Sequence, residues 1–316
     1  MTAREALFSD VQAIRHAAQL NAVAGLSEGR TKDDCETAMI VDAASMLRRG
    51  LSVISFASFE RFLSSRIREL VDEYNSSTVR SFSEIPPKLA ARTRQNAIDV
   101  VNSRTKRETP QSEIDELLVS LARTLNSTSG DVFHLSATAL SWTGSNIGSE
   151  DLKTICEALG CSNPFGQLTT LVRDLSDGQI TADSRELFKN FAERRHLSAH
   201  DGTHVVSILE SRTLYRDLLY LSLATDMLLT TAMSRLMKAD RDVSSFSDFT
   251  SVASIHKLSR VPRGTRYRLS SSGSGSTSYK TPLEYFEKTR RKDSRNGRTT
   301  LVLVLDSGGI PTQILS

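Results

Sequence analysis

The chain has 316 residues, of which 24% are charged and 39% hydrophobic, a composition typical of globular proteins rather than disordered or fibrous ones. Seven prolines and sixteen glycines argue against a turn-rich all-β sandwich, and three cysteines argue against a disulfide scaffold. No uninterrupted apolar stretch is long enough to cross a membrane, and the N-terminal residues lack the apolar segment of a secretory signal. We therefore expect a cytoplasmic, mainly helical protein without a membrane segment.

The net charge of +3 conceals an uneven distribution along the chain. From Phe246 onward, twelve Lys and Arg oppose five Asp and Glu, so this segment carries +7 and residues 1–245 carry −4. Arginine outnumbers lysine 30 to 10, and its planar guanidinium binds two phosphate oxygens at once. A basic tail on a mildly acidic body suggests a polyanionic partner, although scattered surface charge explains the same numbers.

Hydrophobic periodicity predicts helices through most of the first 240 residues. A first helix ends at Gly25, and the longest follows a cap at Thr31–Asp34 and runs to about Tyr74, with room for a bend near Gly50. Its apolar stripe advances by three and four residues and comprises Ile40, Ala44, Leu47, Leu51, Ile54, Phe59, Phe62, Leu63, Ile67, Leu70 and Tyr74. This pattern predicts a long helix with one face in the core.

The middle of the chain predicts shorter helices before one last long helix. One ends near Asn102, and the others span Ser112–Leu125, Ser149–Leu159, Pro164–Leu175, Asp183–Arg195 and Ser211–Met237. Residues 127–150 are rich in Ser, Thr and Gly and predict a loop, part of which packs because it contains Trp142. The Leu and Met residues of the last helix are typical of a bundle core rather than of a cofactor site.

The pattern changes after residue 240. Ser270–Ser278 is a low-complexity Ser/Gly segment, typical of a flexible linker. It lies between the stretches TRYRLS and TTLVLVLDSGG, and the second contains a β-favouring run at Leu301–Leu305 that is closed by a Gly-Gly turn. We predict a helical domain over residues 1–240 and a small, basic, β-containing region over residues 241–316.

Metal and cofactor motifs are not found in the sequence. Cys156 and Cys161 have no second pair nearby and Cys35 is distant, so buried free thiols are a better interpretation than a zinc site. The chain also lacks a phosphate-binding glycine loop, an HExxH helix and a GxSxG elbow. We therefore expect neither a metal nor a cofactor.

The histidines are more informative, because three of the six fall within nine residues. On a helix ending at Asp201-Gly202, His196 and His200 share one face and Arg195 lies close to them. This combination suits phosphodiester chemistry, since a histidine transfers a proton and an arginine offsets charge on the phosphorane oxygens. The two histidines would also serve as half of a zinc site, but no third ligand is evident.

Two segments resemble the HEPN superfamily. Residues Arg195-His196-Leu197-Ser198-Ala199-His200 fit its RΦxxxH motif, and the stretch from Val53 to Leu70 resembles the early helix of larger stand-alone bacterial members. The resemblance implies a mainly α fold, an up-and-down helical bundle that dimerises and brings two motifs together in one cleft. It also implies a metal-independent endoribonuclease that leaves a 2′,3′-cyclic phosphate, often a toxin or antiviral defence effector held by an antitoxin or defence-system partner.

By this resemblance His200 is the catalytic acid/base, Arg195 contacts the phosphate and His196 is the polar second residue of the motif. Glu60 is a supporting candidate that orients the Arg or His across the bundle, although a surface Glu beside core phenylalanines explains it equally well. Some HEPN proteins are inert and bind RNA, nucleotide or a partner, so the fold alone does not decide the activity.

The basic tail suits an RNA-binding arm, in which aromatic rings stack on bases and cations contact the backbone. The candidates, together with Arg194 beside the motif, are Tyr267, Tyr279, Tyr285, Phe286, Arg290, Arg291 and Lys292. A tail that packs on the bundle or assists dimerisation is the competing interpretation. An unrelated helical protein with a nucleic-acid-binding tail is the third hypothesis for the whole chain.

Overall fold

A computed structural model describes residues 1–25, 35–77, 80–105, 110–237, 248, 252–260, 267–269, 278–295, 298–306 and 310–316. The helices, in chain order, are α1 (Ala3–Gly25), α2 (Cys35–Ser77), α3 (Pro87–Thr105), α4 (Gln111–Ser127), α5 (Ser149–Ala158), α6 (Pro164–Leu175), α7 (Ser184–His200), α8 (Ile208–Met237) and α9 (Pro282–Arg295). The strands are β1 (Ala253–Arg260), β2 (Tyr267–Leu269), β3 (Thr299–Leu305) and β4 (Pro311–Leu315). The expected mainly α fold with a small β-containing C-terminal region is confirmed.

The centre of the molecule is a bundle in which α1, α2 and α8 pack against one another and α7 packs on α2 and α8. Every residue of α8 from Asp217 to Met233 is buried, as expected of a helix surrounded by other elements. Phe56 and Phe59 of α2 meet Phe188 and Phe191 of α7 with ring centroids 5.3–6.4 Å apart and mostly edge-to-face, a favourable aromatic geometry. This cluster fixes α7, and therefore the histidine motif, on α2.

The predicted core stripe of α2 is wrong at two positions. Leu47 and Ile54 are 42% and 55% exposed, because the buried face of this half of the helix runs instead through Arg48, Ser52 and Ser55. The two serine hydroxyls donate to the carbonyls of Arg48 and Leu51, 3.3 Å and 2.7 Å away, so their burial leaves no unsatisfied donor. The remaining apolar residues of the stripe from Phe59 to Tyr74 are buried as predicted.

A buried ion network joins α1, α2 and α8. The carboxylate of Asp226, which is fully buried, accepts from Nε of Arg4 at 2.7 Å and from Nε of Arg66 at 2.6 Å. Thr230 and Glu69 extend the network, since Arg66 donates to both side chains. Two guanidiniums around one carboxylate balance the charge that burial would otherwise make unfavourable.

The C-terminal strands form one sheet in the order β2-β1-β3-β4. β1 and β3 are parallel, with α9 in the connection between them, and the two outer pairs are antiparallel. One face of the sheet contributes Leu301, Leu303 and Ile314 to the core of the bundle, and α9 covers the other with Tyr285 and Phe286. The sheet therefore packs on the bundle, and the predicted strand at Leu301–Leu305 is confirmed as β3, whereas β2 (Tyr267–Leu269) was not singled out from the sequence.

Several expectations lie partly or wholly outside the described residues. These are the cap at Thr31–Asp34, the boundary at residue 240, most of the Ser270–Ser278 segment and the Gly-Gly turn.

Cys156 and Cys161 are buried free thiols as predicted. The predicted loop over residues 127–150 contains a short 3-10 turn at Ala137–Leu140, and Trp142 packs against the core. In the described part of the chain, none of the helices is long and apolar enough to cross a membrane.

Candidate active site on helix α7

The candidate site is built on α7, whose ends are both defined by side chains. Asp183 caps the N-terminus, where its carboxylate accepts from the amide of Arg185 at 2.8 Å, as N-cap residues typically do. Leu187, Phe188 and Phe191 are buried, so this face is held in the bundle. The last turn carries the RΦxxxH residues and ends at His200, as the Asp201-Gly202 stop predicts.

The structure brings the three motif residues to this exposed helix end. His196 and His200 are exposed, Arg195 is half-buried, and the two imidazole rings lie 4.9 Å apart. Within the described residues no hydrogen bond or ion pair engages these three side chains. Two imidazoles in contact with each other are therefore open to solvent, next to the half-buried guanidinium of Arg195 in the sequence.

Arg194 differs sharply from its neighbour Arg195. Its Nη2 donates to Oδ2 of Asp217 at 2.7 Å, and both side chains are largely buried. Burial raises the pKa of Asp217, while the positive charge and hydrogen bond of Arg194 lower it. The structure thus gives Arg194 an intramolecular partner on α8 in place of the RNA contact expected for it, which leaves Arg195 as the unengaged arginine of the pair.

Glu60 of α2 lies opposite α7 and is close enough to Arg195 to interact with it electrostatically. Its Oε1 accepts from the amide of Ile147 at 2.7 Å, which ties it to the loop before α5. Burial raises the pKa of Glu60, whereas the Ile147 amide and the charge of Arg195 lower it. The hydrogen bond of Glu60 is thus to the Ile147 amide, and its role in orienting the Arg or His of the motif stays a prediction.

The segment after α7 is fixed by residues that sequence reasoning missed. Arg49 donates to the carbonyls of Ser198 and Gly202, and the adjacent Arg48 donates to the carbonyl of Val206. The clue was an Arg-Arg pair inside an otherwise apolar helical stripe, where charged side chains need partners.

Two carboxylates shape the turn between α7 and α8. Asp201 accepts from both the amide and the hydroxyl of Thr203, which lowers the pKa of Asp201. Glu210 accepts from the amide of Ser207 while the hydroxyl of Ser207 accepts from the Glu210 amide, the reciprocal arrangement of a capping box. The bonds that the backbone and the side chain of Ser207 make to the Glu210 carboxylate lower the pKa of Glu210.

The tail candidates divide into exposed cations and buried rings. Arg290, Arg291 and Lys292 are exposed on α9. Tyr285 and Phe286 are each only 5% exposed, because they pack between α9 and the sheet, so the prediction that they stack on bases is wrong. Tyr267 and Tyr279 are half-buried, and the ring of Tyr279 packs on Tyr285 at 4.7 Å.

A groove of about 1300 Å³ lies elsewhere, between α2, α4 and residues 134–142. Its lining includes Asp72, Glu113, Asp115 and Glu116 but only two arginines, and no residue of α7. This excess of carboxylates opposes the binding of a polyanion, so the groove is not where we place the phosphate chemistry. Among the residues that the structure describes, no cluster of three or more His, Cys, Asp or Glu is arranged to hold a metal ion.

The chain was also compared with models of known protein families, with curated proteins and with solved structures. The model of the RiboL-PSP-HEPN family matches residues 15–230, a range that includes α7 and nearly all of the helical bundle. No curated protein matches the chain, and no solved structure does. Because the family model covers more than half of the 316 residues, the chain belongs to the RiboL-PSP-HEPN family.

Proposed function

We propose that this protein is a metal-independent endoribonuclease whose active site is the end of α7. A base takes the proton of a ribose 2′-hydroxyl, the 2′-oxygen attacks phosphorus, and the leaving 5′-oxygen receives a proton, which leaves a 2′,3′-cyclic phosphate. His200 transfers protons in this scheme, and Arg195 balances the charge that develops on the phosphorane oxygens. His196 lies beside His200, and Glu60 holds Arg195 from the opposite helix.

The observation that carries the proposal is the contrast between two adjacent arginines. Arg194 is paired with Asp217 at 2.7 Å, whereas Arg195, His196 and His200 have no hydrogen-bond or ion-pair partner in the described part of the chain. A partly buried arginine such as Arg195 normally finds such a partner within the fold, and the two histidines are exposed and in contact with each other. Three such groups lie near one helix end, and Glu60 interacts electrostatically with one of them, Arg195. This combination favours a site that binds and cleaves a phosphodiester.

We further infer that two copies of the chain form the site. Met46, Leu47 and Ile54 of α2 are 42–72% exposed, and Val205 and Leu209 near the start of α8 are 69% and 73% exposed. Arg49, on the same stretch of α2, bonds to the end of α7, so this apolar surface lies beside the motif. A second copy that covers it would bring two motifs together, with one histidine available as base and the other as acid.

The direct test is cleavage of labelled single-stranded RNA by the purified protein in EDTA. We expect cleavage without metal, a 2′,3′-cyclic phosphate on the product, and a loss of at least about 100-fold in rate for His200→Ala, the scale of a lost general acid/base. His16→Ala, which removes an exposed histidine from α1, is the matched control and should cleave normally.

Three results would count against this assignment. Full activity in His200→Ala would place the chemistry elsewhere, and activity that EDTA abolishes would contradict the metal-independent mechanism. An inert wild type that still binds RNA or nucleotide would instead identify a binding module. As a toxin or defence effector, the protein should also slow bacterial growth when expressed, and His200→Ala should relieve that effect.

A further inference from the structure

The end of a helix leaves carbonyl oxygens without intrahelical donors, and in α7 these include the carbonyls of the active-site turn. The Leu197 carbonyl accepts from the amide of Asp201 at 2.8 Å. The Ser198 carbonyl accepts from Nη2 of Arg49 at 3.2 Å, and Nη1 of the same guanidinium donates to the Gly202 carbonyl at 3.0 Å. One side chain from α2 thus bridges the last turn of α7 and the residues that follow it.

We propose that Arg49 is the positioning residue that holds His200 in place for catalysis, an inference that rests on the proposed function. His200 is exposed and is the last residue of α7, and its described side-chain contact is the ring of His196. The orientation of its imidazole therefore depends on the backbone of the last turn, which Arg49 bonds on both sides of the helix terminus. Both Nη atoms are engaged with carbonyls, so Arg49 acts through the backbone and not on the substrate.

Two further features set Arg49 apart from an ordinary surface arginine. Its Nε is buried and lacks a hydrogen-bond partner in the described part of the chain, an arrangement that destabilises a fold. Its neighbour Arg48 is 5% exposed and donates from Nε to the carbonyl of Val206 at 2.7 Å. Consecutive arginines of α2 therefore bond to both ends of the segment over residues 201–206, Arg49 to Gly202 and Arg48 to Val206.

The test compares three variants of the full-length protein. Arg49→Gln keeps much of the side-chain volume but removes the forked donor, and Arg49→Lys keeps the charge with a single donor site. Arg61→Gln is the matched control, because Arg61 lies on the same helix, is 62% exposed and pairs with Asp10 of α1. The measurements are kcat and KM for RNA cleavage, and amide hydrogen exchange at Asp201, whose amide closes the last turn of α7.

We expect Arg49→Gln to lower kcat about 30- to 100-fold with KM within about threefold, the cost of misplacing a catalytic group by about 1 Å. Arg49→Lys should recover part of the loss, Arg61→Gln should match wild type, and Asp201 exchange should accelerate only in the Arg49 variants. Equal kcat in wild type and Arg49→Gln would overturn the proposal. A raised KM with unchanged kcat would overturn it as well, since that pattern indicates a substrate contact.

The exchange measurement separates this proposal from the proposed function. If the wild type does not cleave RNA, the nuclease assignment fails, but Asp201 exchange still reports whether Arg49 holds the last turn of α7. Faster exchange in Arg49→Gln than in Arg61→Gln would then support the positioning role in a binding site. Identical exchange in wild type and Arg49→Gln would overturn it irrespective of activity.

Discussion

The carboxylate of Asp226 is fully buried and is stabilised by Arg4 and Arg66. Asp226→Asn should lower the free energy of unfolding by about 3–5 kcal/mol, because it removes the buried counter-charge of Arg4 and leaves Arg66 with Glu69 alone. Asp10→Asn is the control. It breaks the pair with the exposed Arg61 and should cost no more than about 1 kcal/mol. Urea unfolding at neutral pH measures both, and equal losses would show that the network contributes no more than a surface pair.

The pKa of Asp226 also predicts how the stability of the fold changes at acid pH. Burial by itself raises the pKa of Asp226, but the charges and hydrogen bonds of Arg4 and Arg66 outweigh burial, and the pKa lies below its ordinary value. The unfolded chain therefore binds this proton more readily than the folded protein. The stabilisation is complete above about pH 4, the unfolded value, and is lost as the pH falls through the folded value. Asp226→Asn should flatten the stability curve over that range.

For the single residues of the site, the sequence predicts their position on a helix end better than the side chains that they contact. The spacing of Arg195, His196 and His200, with Asp201-Gly202 as a stop, places them on one helix end, as the structure shows. The engagement of Arg194 with Asp217 and of Arg49 with the end of α7 was not predictable. Both contacts depend on which helix packs next to the arginine. Hydrophobic periodicity shows that one face of a helix is buried, but it does not show which other helix covers that face.

At the level of single helices, α2 has an apolar surface with an unusual residue in its middle. Gly50 lies between the exposed Leu47 and Ile54, and a Cβ atom at this position would meet nothing within 4 Å. Glycine inside a helix is unfavourable by about 0.5–1 kcal/mol relative to alanine. The chain therefore carries a destabilising residue where the isolated fold has room for a side chain, which suits a surface approached closely by a second copy.

Substitutions at Gly50 test this interpretation directly. Gly50→Ala should raise the stability of the monomer by about 0.5–1 kcal/mol, and Gly50→Arg should weaken self-association at least tenfold by blocking close approach. Ser76→Arg is the control. It places the same side chain at an exposed position of α2 about 39 Å away along the helix. Sedimentation velocity over a range of concentrations measures association, and an undisturbed dimer in Gly50→Arg would place the interface elsewhere.

The C-terminal elements show why a basic segment is hard to interpret from sequence. The strand at Leu301–Leu305 was predictable because five apolar residues follow one another. α9 was not, because its buried residues Tyr285 and Phe286 precede a run of cations that hides the helical period. The covered face of α9 is the one that packs on the sheet. That sheet forms only when β1 and β3, more than forty residues apart in sequence, pair with each other.

Considering the whole molecule, the distribution of charge suggests a role for the C-terminal region in addition to packing, which we state as a prediction. The sheet is buried against the bundle, yet the outer surface of α9 retains exposed cations at its C-terminal end, namely Lys288, Arg290, Arg291, Lys292 and Arg295. Cations at a helix C-terminus are favoured by the helix dipole, so this cluster lowers the stability of the fold only slightly. Under the proposed function, this cluster would hold the RNA that is cleaved at the end of α7.

Neutralising three of these cations separates RNA binding from catalysis. The triple variant Arg290→Gln, Arg291→Gln, Lys292→Gln should weaken RNA binding and reduce the slope of log K against log salt concentration by up to about 2, since each lost contact to a single strand removes about 0.7. The control makes the same change in net charge at three lysines paired with glutamates, Lys88, Lys153 and Lys189. Fluorescence anisotropy with labelled RNA from 50 to about 300 mM salt measures both slopes. Equal slopes in the two variants would show that α9 does not contact RNA, and the basic tail would then be explained by packing alone.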